Sequence, residues 1–127
     1  DVSKDSWYYD GVKFVCGKGL MNGTGANRFS PNANTTRGMI LTILARIEGV
    51  DTSGTPWYAA GQKWAMANGI SDGTNMEGEI TREQLAAMLY RYAKLMSALL
   101  LTSPVAPTRQ RSTHMRSTRC AGLSPRA

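Results

Sequence analysis

Apolar residues recur three or four positions apart in four stretches of the chain, and loops rich in glycine and asparagine separate these stretches. This spacing places the apolar side chains on one face of a helix, whereas the alternation typical of strands is nearly absent. The pattern therefore predicts an all-α fold of tandem helix-loop-helix units. The predicted helices cover residues 7–18, 36–48, 57–68 and 82–96.

Local signals mark the ends of these helices. Ser6 precedes the first helix and can cap its free N–H groups, and Thr35 or Thr36 can do the same for the second. Thr81 and Gln84 form a capping-box pattern at the start of the fourth helix. A glycine, which readily adopts the left-handed conformation that ends a helix, follows each of the first three: Gly19, Gly49 and Gly69.

The chain contains two copies of one sequence unit. Residues 57–74 repeat residues 7–24 at a constant offset of 50. Residues 81–91 repeat residues 36–46 at an offset of 45, because the intervening loop is five residues shorter in the second copy. Repeats determine architecture, since each copy buries its apolar face against a neighbour. We therefore predict a first repeat, a second repeat and an irregular basic tail, which are residues 1–50, 51–96 and 97–127.

The net charge of +6 is a property of the tail. Residues 1–94 carry ten Lys or Arg and nine Asp or Glu, whereas residues 95–127 carry five Arg and no acidic residue. The tail has no aromatic residue on which a base could stack, so we expect no nucleic-acid partner. The longest apolar stretch, residues 95–101, is too short to span a bilayer, so we expect no membrane insertion.

Residues that catalysis or metal binding requires are not grouped in the sequence. Cys16 and Cys120 lie in unrelated contexts without metal-ligand spacing, and His114 is the only histidine. Whether the two cysteines form a disulfide stays open at this point. No carboxylate pair, nucleophile with a base or phosphate-binding loop occurs at a usable spacing, so we expect no enzyme, no metal and no cofactor.

The repeated motifs resemble the S-layer homology repeat. They are an opening Trp/Tyr helix, a G-[LI]-x-x-G-T turn and a Thr-Arg pair that opens the second helix. They occur in WYYDGVKFVCGKGLMNGTG…RFSPNANTTRGM and again in PWYAAGQKWAMANGISDGT…EITREQL, so the resemblance covers residues 1 to about 94. The first copy departs from the family pattern, because Gly38 follows Arg37 where an acidic residue is usual. In the second copy Glu83 follows Arg82 as expected.

This resemblance implies both a fold and a role. The family usually carries three repeats around a pseudo-threefold axis, so two copies imply an incomplete helical bundle. Its members anchor secreted proteins to the cell wall by binding a secondary cell-wall polysaccharide whose terminal sugar carries a pyruvate ketal. We expect the same surface role in a Gram-positive-type envelope, with this chain a piece of a longer secreted protein. The alternative is a structural or protein-assembly module that lost carbohydrate binding with its third repeat.

The tail stands where a third repeat is expected. Read one nucleotide out of frame, codons that can encode residues 113–122 permit a sequence like the opening helix of the other copies. This predicts a frame-shifted or degraded third repeat. The tail itself is rich in Pro, Arg, Ser and Thr, which do not bury enough apolar surface to fold. Two repeats covering a core built for three leave apolar surface exposed, so we also predict self-association.

Two arginines are the leading candidates for ligand binding. Arg37 and Arg82 each follow a capping threonine in the first turn of a helix, where free N–H groups and the helix dipole favour an anion. A guanidinium can bind a carboxylate there through two hydrogen bonds. The alternative is that each arginine pairs with a nearby acidic residue. The resemblance implies grooves between adjacent repeats, so we expect Arg37 to be the main contact, with Arg82 at an unfinished groove.

The other candidates are aromatic and turn residues. Trp7 and Trp57 can stack on a sugar ring, and core packing is the alternative for each. A glycine in a turn lets the backbone approach a ligand closely, although its role in forming the turn is an equally good explanation. The turn candidates are Gly23, Thr24, Gly73 and Thr74.

Overall fold

A computed structural model describes residues 1–102, and within them the chain forms four helices and no strand. The helices are α1 (Tyr9–Gly17), α2 (Arg37–Ile47), α3 (Ala59–Ala67) and α4 (Arg82–Thr102). The prediction of an all-α fold is confirmed, while the pseudo-threefold arrangement stays a prediction. Only the end of α4 differs clearly from expectation, because residues 97–102 are helical rather than part of an irregular tail.

Two expectations and one open question concern residues outside this described part. The expectations are the irregular character of the tail beyond residue 102 and the out-of-frame repeat at residues 113–122, and the open question is a disulfide that would involve Cys120. Of the two cysteines only Cys16 is described, and it is buried in α1. Within residues 1–102, no helix combines the length and the apolar character that crossing a membrane requires.

The described residues fall into two compact units, and the first contains residues 1–33. Its helix α1 buries Val12 and Cys16. The prediction that Ser6 caps this helix through its side chain is wrong. Tyr8 is the cap residue and makes no side-chain cap, while Ser6 accepts a hydrogen bond from the Tyr9 N–H through its backbone carbonyl.

The second unit begins at residue 34 and contains α2, α3 and α4. Each helix contributes one residue to its core, and the loop between α3 and α4 contributes two more. Tyr58, Trp64 and Tyr92 are partly buried around this core. The core residues are Leu41, Ala65, Ile70, Met76 and Met88.

The closest helix packing in this unit is the crossing of α2 and α3. A Cβ placed on Gly61 of α3 would lie 2.9 Å from the Cα of Thr42 in α2, which is closer than side-chain atoms pack. Glycine is therefore required at this position for the two backbones to approach. Leu41 and Ala65 are fully buried in the same region. The compact units consequently differ from the sequence repeats, because α2 of the first repeat packs with α3 of the second.

The capping predictions for α2 and α4 are confirmed. The hydroxyl of Thr36, rather than that of Thr35, accepts a hydrogen bond from the N–H of Met39 at 3.2 Å. In α4, the Thr81 hydroxyl accepts from the Gln84 N–H at 3.2 Å, and the Gln84 side chain accepts from the Thr81 N–H at 3.0 Å. The predicted left-handed residues have φ of +73°, +80° and +71° and are Gly19, Gly49 and Gly69.

Candidate functional site

Arg37 is the first residue of α2, and a turn of the second repeat surrounds its side chain. Its Nε–H donates to the Thr74 carbonyl at 2.9 Å. One terminal nitrogen, Nη2, donates to the Ser71 hydroxyl at 3.3 Å and to a carboxylate oxygen of Asp72 at 3.1 Å. The Arg37 side chain is only 11% exposed, so the guanidinium is held in one position.

The turn that receives Arg37 is stabilised by its own hydrogen bonds. The Asp72 carboxylate accepts from the Thr74 N–H at 3.0 Å and from the Thr74 hydroxyl at 2.8 Å. The Ser71 hydroxyl accepts from the Gly73 N–H at 3.1 Å, and Gln62 of α3 donates to the Gly73 carbonyl at 2.7 Å. The turn is therefore ordered from within and tied to α3.

These contacts also set the charge state of Asp72. The backbone N–H of Thr74 and then its hydroxyl, with a smaller contribution from the charge of Arg37, hold the pKa of Asp72 below its ordinary value of 3.8. Hydrogen bonds to the ionised form of a carboxyl stabilise that form. Asp72 is consequently a carboxylate at neutral pH.

The ion pair with Asp72 is the alternative considered for Arg37 from the sequence, and the structure contains it. The Asp72 side chain is 71% exposed, and ion pairs open to water are weak. A guanidinium has five N–H donors, of which three are engaged with the turn. Within residues 1–102, the two donors of Nη1 have no hydrogen-bond partner and remain able to bind an acceptor.

The backbone at the start of α2 differs from expectation. The N–H of Arg37 donates to the Gly78 carbonyl at 3.0 Å, and the N–H of Gly38 donates to the Met76 carbonyl at 2.7 Å. The N–H of Met39 donates to the Thr36 hydroxyl. Free N–H groups were expected to attract an anion here, but these three are occupied. At this helix start the Arg37 side chain, rather than these three N–H groups, therefore has donors to offer to an anion.

Arg37 borders an open groove of about 380 Å³ between the turn and α4. Arg91 of α4 is fixed beside it by a hydrogen bond from its Nη1 to the Ile70 carbonyl at 3.2 Å. The groove thus contains two guanidinium groups, two carboxylates, neutral polar groups and a small apolar surface. Its lining residues are Arg37, Ser71, Asp72, Glu83, Gln84, Ala87, Met88 and Arg91.

This combination suits a ligand rich in hydroxyl groups that carries a single negative charge. Hydroxyls can bond with Ser71, Gln84 or Glu83, and the apolar face of a ring can lie on Ala87. The described residues include no group of three or more His, Cys, Asp or Glu side chains placed to hold a metal ion.

The other candidates of the second unit lie in different surroundings. Gly73 and Thr74 belong to the turn that holds Arg37, with Gly73 at φ +79°. Trp57 is 44% exposed and stacks edge-on with Tyr58, but it does not line the groove. Arg82 is exposed at the start of α4 and also lies outside the groove lining.

Three candidates belong to the first unit. Trp7 is 92% exposed and stacks edge-on with Tyr8. Gly23 has φ of +85°, and the hydroxyl of Thr24 is hydrogen-bonded to that of Ser30. The structure therefore groups Arg37 with Gly73 and Thr74, while Trp7, Gly23 and Thr24 are described in the other compact unit.

The sequence analysis missed several groove residues. Asp72 belongs to an Asp-Gly-Thr turn, a pattern in which the carboxylate commonly accepts backbone bonds. Arg91 lies three, four and seven positions after Met88, Ala87 and Gln84, a spacing that places them on one helix face. These two signals were present in the sequence, but neither identifies which helix start the turn would contact.

Comparison with known proteins gives a family match and several relatives. Residues 1–38 match the family model of the S-layer homology domain. The chain is 31% identical to the surface-layer 125 kDa protein of Lysinibacillus sphaericus, over 72% of this chain and 9% of that protein. It is 28% identical to the S-layer protein sap of Bacillus anthracis, over 75% of this chain and 13% of that protein. It is 32% identical to an endoglucanase of a Bacillus species, over 72% of this chain and 11% of that protein.

The matched stretch is a small part of each relative, so this chain spans about a tenth of the length of these proteins. No solved structure matches the chain.

Proposed function

The chain contains an S-layer homology domain, and from this premise we propose that it anchors a secreted protein to the bacterial cell wall without a covalent bond. The ligand in this proposal is a cell-wall polysaccharide whose terminal sugar carries a pyruvate ketal. Two relatives are named as S-layer proteins, which supports a location at the cell surface.

The observation that carries the proposal is the state of Arg37. Its guanidinium is oriented by the three hydrogen bonds that it donates to one turn, and it borders the groove with two donors unused. A pyruvate ketal adds one carboxylate to a ring that is otherwise neutral. A carboxylate accepts charge-assisted hydrogen bonds from a guanidinium, and a side chain that is already ordered loses little entropy on binding.

The rest of the groove fits the sugar that would carry this carboxylate. Ser71 and Gln84 offer neutral polar groups, and Ala87 offers a small apolar surface. Arg91 places a second cation on the same lining, which balances the carboxylates of Asp72 and Glu83. A singly charged ligand would therefore not meet an excess of negative charge.

Binding without catalysis is part of the proposal. The endoglucanase relative shares only 11% of its length with this chain, so its name gives no ground for assigning hydrolysis here. Glycoside hydrolysis by the usual route needs two carboxyl groups on opposite sides of a sugar bond. Asp72 is committed to Thr74 and Arg37, which makes it a poor proton donor.

A pull-down with purified cell walls tests the proposal. We expect the chain to sediment with intact walls and to lose binding after mild acid has removed the pyruvate groups. Binding that survives the acid treatment would contradict the pyruvate ligand while keeping wall anchoring. The absence of binding to either wall would favour the alternative, a protein-assembly module without carbohydrate binding.

A further inference from the structure

The crossing of α2 and α3 can be compared with the same helices in the other copy. On α2 the buried residues include Leu41, Thr42 and Ala45, of which Leu41 and Thr42 lie next to Gly61 of α3. On α3 the buried residues are Gly61 and Ala65, and Gly61 provides the closest approach. The sequence repeat relates α4 to α2 and relates α1 to α3. If the repeat is followed, α4 has a face that corresponds to the buried face of α2, and α1 has a face that corresponds to the buried face of α3.

On α4 the face that corresponds to the buried face of α2 is exposed. At the offset of 45, Ala86 corresponds to Leu41 and Tyr90 to Ala45, and Tyr90 is 65% exposed. Leu89 corresponds to Leu44, which is 5% exposed, whereas Leu89 is 46% exposed. This face of α4 resembles α2 with its partner helix removed.

On α1 the face that corresponds to the buried face of α3 is open as well. Gly11 corresponds to Gly61, and a Cβ placed on Gly11 would meet no atom within 4 Å. Phe14 corresponds to Trp64, which packs against the core, but Phe14 is 59% exposed. Trp7 is 92% exposed, and its counterpart Trp57 is 44% exposed.

We propose that α1 of one molecule packs on α4 of a second copy of this chain, with the geometry of the α2 and α3 crossing. The sequence repeat supplies one occupant for the α4 face, namely α1, whose sequence repeats that of α3. Gly61 lies against Thr42 and Leu41, so Gly11 would lie against their counterparts Ala87 and Ala86, and such small residues let helices approach closely. The exposed aromatic rings of Trp7, Phe14 and Tyr90 become buried, and aromatic residues are enriched at such interfaces.

This contact is heterologous, since it joins two different surfaces of the same chain. Such contacts form closed rings or open chains of molecules rather than a dimer with one self-complementary patch. The contact does not depend on the proposed sugar ligand. Ala87 belongs both to this contact and to the groove lining, but the substituted positions Gly11 and Ala86 lie outside the lining, so each proposal is tested without changing a groove residue.

The experiment uses two variants that each damage one surface. Gly11→Arg blocks the α1 face and Ala86→Arg blocks the α4 face, and both replace exposed helical residues. Gly17→Arg is the matched control, because it makes the same change on α1 at a position whose counterpart, Ala67, is exposed on α3. Sedimentation equilibrium from micromolar to near-millimolar concentrations gives the mass of each protein and of an equimolar mixture of the two blocked variants.

We expect the wild type and Gly17→Arg to associate as concentration rises, and each blocked variant to associate about tenfold or more weakly. In the mixture, the intact α4 face of Gly11→Arg meets the intact α1 face of Ala86→Arg, and the complex stops at a dimer. A monomeric wild type at all concentrations, or a mixture that stays monomeric, overturns the proposal. If a variant loses helix content by circular dichroism, the pair Phe14→Glu and Tyr90→Glu, at exposed positions, replaces it with the same expected outcomes.

Discussion

Arg37 and Arg82 occupy the same position in the two copies of the chain, one residue after a capping threonine, but their surroundings differ. The side chain of Arg37 is almost covered and bonds to a turn 34 to 37 residues away in the sequence. Arg82 is exposed and has no ion pair within residues 1–102. The capping geometry is the same in both copies, so the difference comes from the turn that follows the next helix. A helix start of this type has its arginine held in place only when the following copy supplies that turn.

The next residue of each motif shows the same contrast. Gly38 follows Arg37 and is buried, whereas Glu83 follows Arg82 and is exposed. A Cβ on Gly38 would lie 2.9 Å from the Met76 carbonyl oxygen and 3.1 Å from the ring of Trp57. The departure from the usual acidic residue therefore has a structural cause, since the packed turn leaves no space for a side chain.

The largest effect is expected for Gly38→Glu, which makes the first motif like the second. The new side chain would collide with backbone and would bring a carboxylate into a buried position, and we expect a loss of about 3 kcal/mol or more in the free energy of unfolding. Glu83→Gly, the reverse change, is the control and should cost about 1 kcal/mol or less, mainly through helix propensity. Urea unfolding followed by circular dichroism measures both. Similar losses for the two variants would contradict the contrast between the motifs.

The next effect concerns ligand affinity. Arg37→Ala removes the oriented guanidinium and should weaken binding of a pyruvylated sugar by about 1.5 to 3 kcal/mol, roughly tenfold to a hundredfold. Arg82→Ala removes an exposed guanidinium that does not line the groove and should change affinity little. Calorimetric titration with a pyruvylated fragment measures both, with circular dichroism to confirm folding. A larger loss for Arg82→Ala, or none for Arg37→Ala, would show that the site is misplaced.

The smallest effect concerns the turn that distinguishes the two arginines. The pKa of Asp72 is lowered on folding, so its contribution to stability is present above its ordinary value of 3.8 and is lost as pH falls through the lower pKa of the folded protein. Thr74→Val removes one of the two Thr74 donors and should raise the pKa of Asp72 part of the way back. A titration of the carboxyl carbon by NMR measures this shift. An unchanged pKa in Thr74→Val would contradict the assigned cause.

Short-range signals in the sequence predicted much of the fold. The spacing of apolar residues located all four helices, and the threonine caps and terminal glycines marked their ends. Where such a signal failed, another local bond replaced it, as when the Ser6 carbonyl took the role expected of its hydroxyl. The end of α4 was also missed, because the composition of residues 97–102 does not show whether the helix stops at residue 96 or continues.

The sequence by itself determined the helices, the two copies and the family, because each depends on residues within a few positions of one another or on motifs that can be compared directly. The tertiary structure decided which helices of the two copies pack in one compact unit. It also decided which backbone N–H groups at the start of α2 are hydrogen-bonded, and which of the two arginines is held by a turn. Arg37 meets Asp72 only because Gly61 lets α3 cross α2 closely and so brings the following turn to the start of α2. That placement depends on packing between distant residues, which the local pattern of either helix does not contain.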